Sequence, residues 1–265
     1  MKPIGCPTTP RIPLDEEGVR LKAKILSGID AAVIPDGLTD EELTAEHCFT
    51  KEEAQQIKDA IRLGIAIHAD QKPRVDGLYT NHILRVMEFG FYTLGIRHPA
   101  ILTALPLHDT VEDQASLLAK RLDRLPSGPF AGSDREKALA YLTHAFGREV
   151  ACIVGGVSQM ELPPDMARER RNEIRAAAFE KAMRVSRIFL VKLPDTSDNG
   201  FKTQNIPDPE LQLRLATKDL PRYPILIKAL LRDEVLFSMQ MKIFLIELLM
   251  EAEANARKIV ESANQ

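Results

Sequence analysis

His108 and Asp109 are neighbours at the end of an apolar stretch, Ile101-Leu-Thr-Ala-Leu105, and Glu112 and Asp113 follow at once. On a helix Glu112 falls four residues after His108, and Asp113 four after Asp109, so the four side chains share one face. Ionisable groups crowded beside an apolar segment are costly unless something positive neutralises them. A divalent metal would do so: the imidazole offers a neutral nitrogen and the carboxylates hard oxygens, a set suited to Mn2+, Fe2+ or Zn2+. The alternative is a solvated, acidic helix end. Two more groups are placed as further ligands. His82 lies inside Leu78-Tyr-Thr-Asn-His-Ile, and Asp195 follows the apolar run Ile188-Phe-Leu-Val-Lys-Leu-Pro194. Asn199 is four residues beyond Asp195 and shares its helix face.

The ordered pattern His82, His108-Asp109, Asp195 resembles that of the HD superfamily of metal-dependent phosphohydrolases. Four blocks make the resemblance more specific. His68-Ala-Asp-Gln-Lys72 followed by Tyr79-Thr-Asn-His82 is similar to the HAGQKRKSGEPYIxHP region of the RelA/SpoT alarmone hydrolase family. Leu107-His-Asp-Thr-Val-Glu-Asp113 resembles its LHDxVEDT segment. Phe146-Gly-Arg-Glu-Val150 with Val154-Gly-Gly-Val-Ser158 resembles FGxEVAxLVxGVTK, and Arg187 through Asp195 with Asn199 resembles RVxLVKLADRLHN. The blocks cover residues 60–200 or so.

The resemblance implies an HD-domain helical bundle and a small, single-domain alarmone hydrolase of the stringent response, without the family's synthetase half. It implies Mn2+, with Fe2+ or Zn2+ as alternatives, held by His82, His108, Asp109 and Asp195. Glu112 and Asp113 match the pair that positions or activates water. Lys72 and Arg74 match basic loop positions that contact the nucleotide, Tyr79 a Tyr at the edge of the site, and Asn199 an Asn near nucleotide and metal. Lys192, and more remotely Arg171 and Arg175, are further phosphate candidates. The implied reaction converts ppGpp to GDP and pyrophosphate by hydrolysis of the 3′-diphosphate. Four positions depart from the pattern: Pro73 stands for Arg, Ile83 for Pro, Pro194 for Ala and Asp198 for His. Pro73 bears on guanine specificity, so another nucleotide (ppApp, or the 2′-phosphate of NADPH) is an alternative substrate. A degenerate, regulatory nucleotide-binding module is a third reading, against which the intact six-residue set speaks.

Helices must position these groups. No run of strand-like alternation with hairpin turns occurs, so the fold class is all-α. The prolines Pro3, Pro7, Pro10 and Pro13 predict an extended arm over residues 1–18, and periodicity predicts a short helix over 19–34. Residues 1–49 are thus expected to be an N-terminal extension, 50–205 the hydrolase domain, and 206–265 C-terminal helices packed on it. Thr50 and Glu53 form a capping box that opens a helix to about Asp70, and Ser133 or Asp134 caps another through Phe146. Pro106 predicts a bend. Residues 165–193 read as one long helix, and Pro194 predicts a new helix starting at Asp195. Residues 225–262 read as helical, and 225–250 as apolar nearly all round, hence buried in the domain or against a partner. His68 is expected to be packed behind the site, His47, His98 and His144 on the surface, and Cys152 buried. Phe237, Met239, Met241 and Phe244 read as core or a dimer face, so a homo-oligomer is one expectation.

Composition sets the outer bounds. The 265 residues are 45% hydrophobic and 28% charged, which excludes a disordered chain. A net charge of −3 provides no general attraction for DNA or RNA. The three cysteines, Cys6, Cys48 and Cys152, form no CxxC pair and fit a reducing cytoplasm. No signal-peptide h-region and no apolar run long enough to span a membrane is seen.

Overall fold

The structure is a computed structural model that describes residues 14–35, 47–74, 77–126, 130–163 and 165–263. The four arm prolines and Cys6 lie outside the described residues. Among the described residues there are helices and two isolated β-bridges, Val33 with Phe49 and Arg74 with Gly77, and no strands, as the periodicity predicts.

The helices are α1 (Glu16–Ala31), α2 (Lys51–Ile67), α3 (Tyr79–Glu88), α4 (Pro99–Ala104), α5 (Thr110–Asp113), α6 (Ala115–Leu122) and α7 (Asp134–Phe146). They continue as α8 (Arg148–Val157), α9 (Arg168–Ala182), α10 (Ser186–Thr203), α11 (Pro209–Asp219), α12 (Arg222–Leu230) and α13 (Met239–Ser262). Local chemistry sets many of their starts. Both capping boxes form, Thr50 with Glu53 and Ser133 with Glu136. Asp15 caps α1 by accepting from the Gly18 N–H at 2.9 Å, so the helix starts three residues earlier than periodicity suggests and takes up the end of the expected arm. The bend at Pro106 is a 3₁₀ turn, Leu105–Leu107, that ends α4.

Helix α10 is the axis of the fold. It packs against α3, α4 and α8 on one side and α11, α12 and α13 on the other. Its Phe189, Val191 and Leu193 are fully buried. Helices α1 and α2 cover α3, and α6, α7 and α8 form a second layer beside α4.

Two expectations about helix breaks are corrected. Pro194 does not start a helix: α10 runs through it without interruption. Proline deletes one backbone hydrogen bond and crowds the preceding turn, but Lys192, Leu193, Pro194 and Asp195 are all buried, and packing on both sides outweighs that local cost. The long helix breaks earlier, at Met183–Val185, where Val185 turns extended and Ser186 opens α10. The C-terminal stretch is also two helices. Residues 231–238 leave the helix, and Ser238 accepts from the Met241 N–H to cap α13. Helix α13 is not buried all round. Leu245, Leu249, Ala252 and Ala256 face the core, whereas Met239 is 70% exposed and Met250 57%. Phe244 is exposed as well, while Phe237 and Met241 pack partly against the core. Cys152 is exposed on α8 rather than buried, because the buried stripe of that helix takes Ala151, Ile153 and Val154 instead.

One close approach fixes the turn that carries His108. A Cβ on Gly64 of α2 would lie 2.3 Å from the Pro106 carbonyl oxygen, so a glycine is needed where α2 crosses that turn. Elsewhere in a helix, alanine gains about 1 kcal/mol over glycine. At Gly64 the clash reverses the sign. Gly64→Ala is expected to destabilise by about 1–3 kcal/mol, as overpacking does. Thermal unfolding of the two proteins measures it, and an unchanged or raised Tm would show that α2 and the turn can separate without cost.

Candidate metal centre

His82 from α3, His108 from the turn before α5, Asp109 at the start of α5 and Asp195 from α10 converge on one point. One ligand atom from each lies within 4.8 Å of all the others. His82 Nε2 is 3.2 Å from His108 Nε2, 3.4 Å from Asp195 Oδ1 and 3.7 Å from Asp109 Oδ2. His108 Nε2 is 3.0 Å from Asp109 Oδ2 and 3.5 Å from Asp195 Oδ1. Donors about 2.0–2.2 Å from a shared ion stand roughly 3–3.5 Å apart, so the set has the spacing a divalent metal requires.

The outward hydrogen bonds fix which way each donor faces. His108 Nδ1 donates to the Leu105 carbonyl at 2.8 Å, which can only accept, so the Nε2 lone pair points inward. His82 Nδ1 meets Asp198 Oδ2 at 2.7 Å, with the same consequence. Two lone pairs and two carboxylates then face one another in the interior. Such an arrangement needs a positive charge between its members. A proton on an imidazole is one source and a divalent metal, which these residues fit, is the other.

The electrostatics follow from that crowding. Burial alone would lower the His108 value, but Asp109 and Asp195 lift it to about 10. His82 is likewise raised against its burial by Asp109, Asp195 and Asp198. Asp109 and Asp195 stay well below the usual carboxylate range although burial pushes them up, held there by His108 and, for Asp195, first by Lys192. Lys192 Nζ bonds Asp195 Oδ2 at 2.7 Å, and Asp195, Glu112 and Asp109 keep this buried amine charged. Burial opposes the ionised Asp198 too, but His82, Arg85 and Lys202 hold it well below its ordinary value.

The sequence-predicted residues come together in one cleft of about 620 Å³, lined by Lys72, Arg74, Tyr79, Glu112, Asp113 and Asn199, with Asp109 and Asp195 at its floor. Several roles differ from those expected. Tyr79 is a positioning group: its hydroxyl is 2.5 Å from Asp109 Oδ2 and 2.9 Å from Asp113 Oδ2, and burial with these two acids keeps it protonated. Asn199 donates to Asp195 Oδ1 at 2.8 Å and accepts from Arg74. The face predicted for the acidic quartet divides. Asp113 joins Asp109 through Tyr79 and accepts from Gln71 at 2.9 Å, whereas Glu112 accepts from the Gln159 N–H at 3.1 Å. The reason is that α5 is a single turn bounded by the 3₁₀ turn, so no continuous helix carries all four. His68 is buried and stacked on Tyr79 at 4.8 Å, as a packed residue behind the site.

Other participants were missed. Arg214, Lys218 and Arg222 line the opposite wall of the cleft from α11 and α12. Their spacing of four was the available signal. Arg171 and Arg175 are not among the lining residues. Asp198 stood out in the sequence as a substituted position, without a role.

The pH dependence of the metal-free fold follows with a definite sign. A raised imidazole pKa means the fold prefers the charged form. That stabilisation is complete below the unfolded value near ~6.5 and is lost as pH rises through about 10. Urea unfolding of metal-free protein should therefore show falling stability from about pH 7 to 10. Saturating Mn2+ should reverse the trend, because ion and proton compete for the same lone pairs. A flat metal-free profile would mean that His108 is neutral in the fold.

Comparison with known proteins returned no matching family model and no matching curated protein. Among solved structures the chain is similar to one described as a metazoan ortholog of SpoT that hydrolyses ppGpp and plays a role in starvation responses. The match has a TM-score of 0.51 at 18% identity and covers 74% of this chain and 94% of that one. The chain shares the all-α fold of that metazoan SpoT ortholog.

Proposed function

We propose that the protein is a Mn2+-dependent hydrolase that removes the 3′-diphosphate of guanosine alarmones, converting ppGpp and water to GDP and pyrophosphate. The observation that carries the proposal is the convergence of His82, His108, Asp109 and Asp195 at the floor of a cleft with basic walls. The shared fold and the four motif blocks favour this substrate over others.

A divalent ion at these four residues supplies charge stabilisation for the phosphoryl group and acidifies water. The chain's own groups do the rest. Glu112 and Asp113, fixed by Gln159 and by Tyr79 and Gln71, orient the attacking water and accept its proton. The water attacks the phosphorus next to the 3′-oxygen, whose bond to that phosphorus breaks, leaving the pair of electrons on the nucleotide. Lys192, Lys72 and Arg74 offset the phosphate charge near the floor, and Arg214, Lys218 and Arg222 do so at the far wall. The cleft thus carries locally the positive charge that a net −3 chain lacks overall. No helix among the described residues is long and apolar enough to cross a membrane.

Pro73 favours keeping a second reading in view. It lines the cleft at a position where the resembled motif has Arg, so a nucleotide with another base, or the 2′-phosphate of NADPH, is the alternative substrate. Mn2+-loaded protein incubated with ppGpp, ppApp, NADPH and dNTPs, with products separated by chromatography, decides between them. Pyrophosphate and GDP from ppGpp are expected. Phosphate released from NADPH alone would move the assignment to the second reading, and no turnover of any of them would sink both. In the same assay Glu112→Ala should retain Mn2+ and lose turnover by about 10²-fold or more. Full activity there would transfer the proton to Asp113.

A further inference from the structure

Asp198 lies outside the set of four, yet it holds one of its members. Its Oδ2 is 2.7 Å from His82 Nδ1, and the ring is completely buried, so water cannot substitute for the carboxylate. Its Oδ1 accepts from Arg85 Nε at 2.8 Å and from Lys202 Nζ at 2.9 Å. Arg85 is on α3 with His82, and Lys202 is on α10 with Asp195. The carboxylate is thereby clamped by cations from the two helices that contribute those ligands. Its contact is with the ring nitrogen facing away from His108, so Asp198 serves His82 and not the centre directly.

An imidazole ligates through whichever nitrogen lacks a hydrogen, and an ionised carboxylate can only accept. We propose that Asp198 is the positioning residue of the metal centre: it places the His82 proton on Nδ1 and orients the ring so that Nε2 ligates the divalent ion. Carboxylate, histidine and metal then form one line, with Arg85 and Lys202 holding its outer end. This rests on the metal reading given above. Asp198 occupies a place where the resembled motif has His, so the arrangement belongs to this chain's own residues.

The test is calorimetric titration of Mn2+ into metal-free protein. Asp198→Leu keeps the approximate volume and removes the acceptor, and should weaken Mn2+ binding by about 10–100-fold. Arg85→Met breaks an ion pair of Asp198 while leaving its bond to His82, and should bind Mn2+ nearly as the parent does. A purely structural role would lower the melting temperature of both variants and leave both affinities unchanged; that result overturns the proposal. The visible spectrum of the Co2+-loaded site should shift in Asp198→Leu and not in Arg85→Met. Should Asp198→Leu fail to fold, long-range 1H–15N NMR of the Zn2+-loaded parent protein decides. A protonated Nδ1 and ligating Nε2 on His82 are expected, and the reverse overturns the assignment. A parent protein that binds no Mn2+ overturns the metal centre and this role together, whereas a binding parent with an equally binding Asp198→Leu overturns this role alone.

Discussion

Two imidazole lone pairs and two carboxylates meet in a region closed to water, and the rest of the molecule is arranged around that meeting. Each buried ion costs several kcal/mol after relaxation. Nothing in the apolar core lowers that cost. The neighbouring polar groups do: the Lys192 amine beside Asp195, the Tyr79 hydroxyl on Asp109, and the Asn199 amide on Asp195. Each is a donor, aimed at an acceptor that would otherwise be bare. The centre is therefore a shell of donors around a cluster of acceptors, with room at its middle for one cation.

The fold can be understood as the means of keeping that shell rigid. Helices α3 and α10 cross at the centre, and the 3₁₀ turn after α4 brings His108 in from a third direction. The turn is seated against α2 at Gly64, and α2 is itself fixed by its capping box. Proline at 106 and glycine at 64 would each weaken an isolated helix. Here each permits a close approach that places a ligand, so local cost and global placement belong to one design.

Much of this was legible because it is local. The four ligands, the acidic pair, both capping boxes and the all-α class rest on residue type and spacing within a turn or two of helix. The misreadings share one cause, a local rule overridden by packing. Pro194 should break a helix, but its neighbours are buried on both sides and the helix continues. Cys152 sits among apolar neighbours in the chain, yet it points outward. The apolar C-terminal stretch hid the break at 231–238, whose signals were the polar Arg232-Asp-Glu234 and the cap at Ser238. Asp198 and the basic wall of α11 and α12 depend on distances between helices, which spacing along one helix does not encode.

Lys192, Asp195, Asp198, Asn199 and Lys202 recur at three- and four-residue intervals along α10, so one stripe of one helix carries the charge balance of the whole centre. Each residue turns a helix by about 100°. A single inserted or deleted residue ahead of Lys192 would swing all five away together, while leaving composition, length and helix propensity almost untouched. The chemistry of the cleft is thus inherited as the phase of one helix. Divergence can exchange the residues on that stripe one at a time, as it has at position 198, but it cannot slide the stripe.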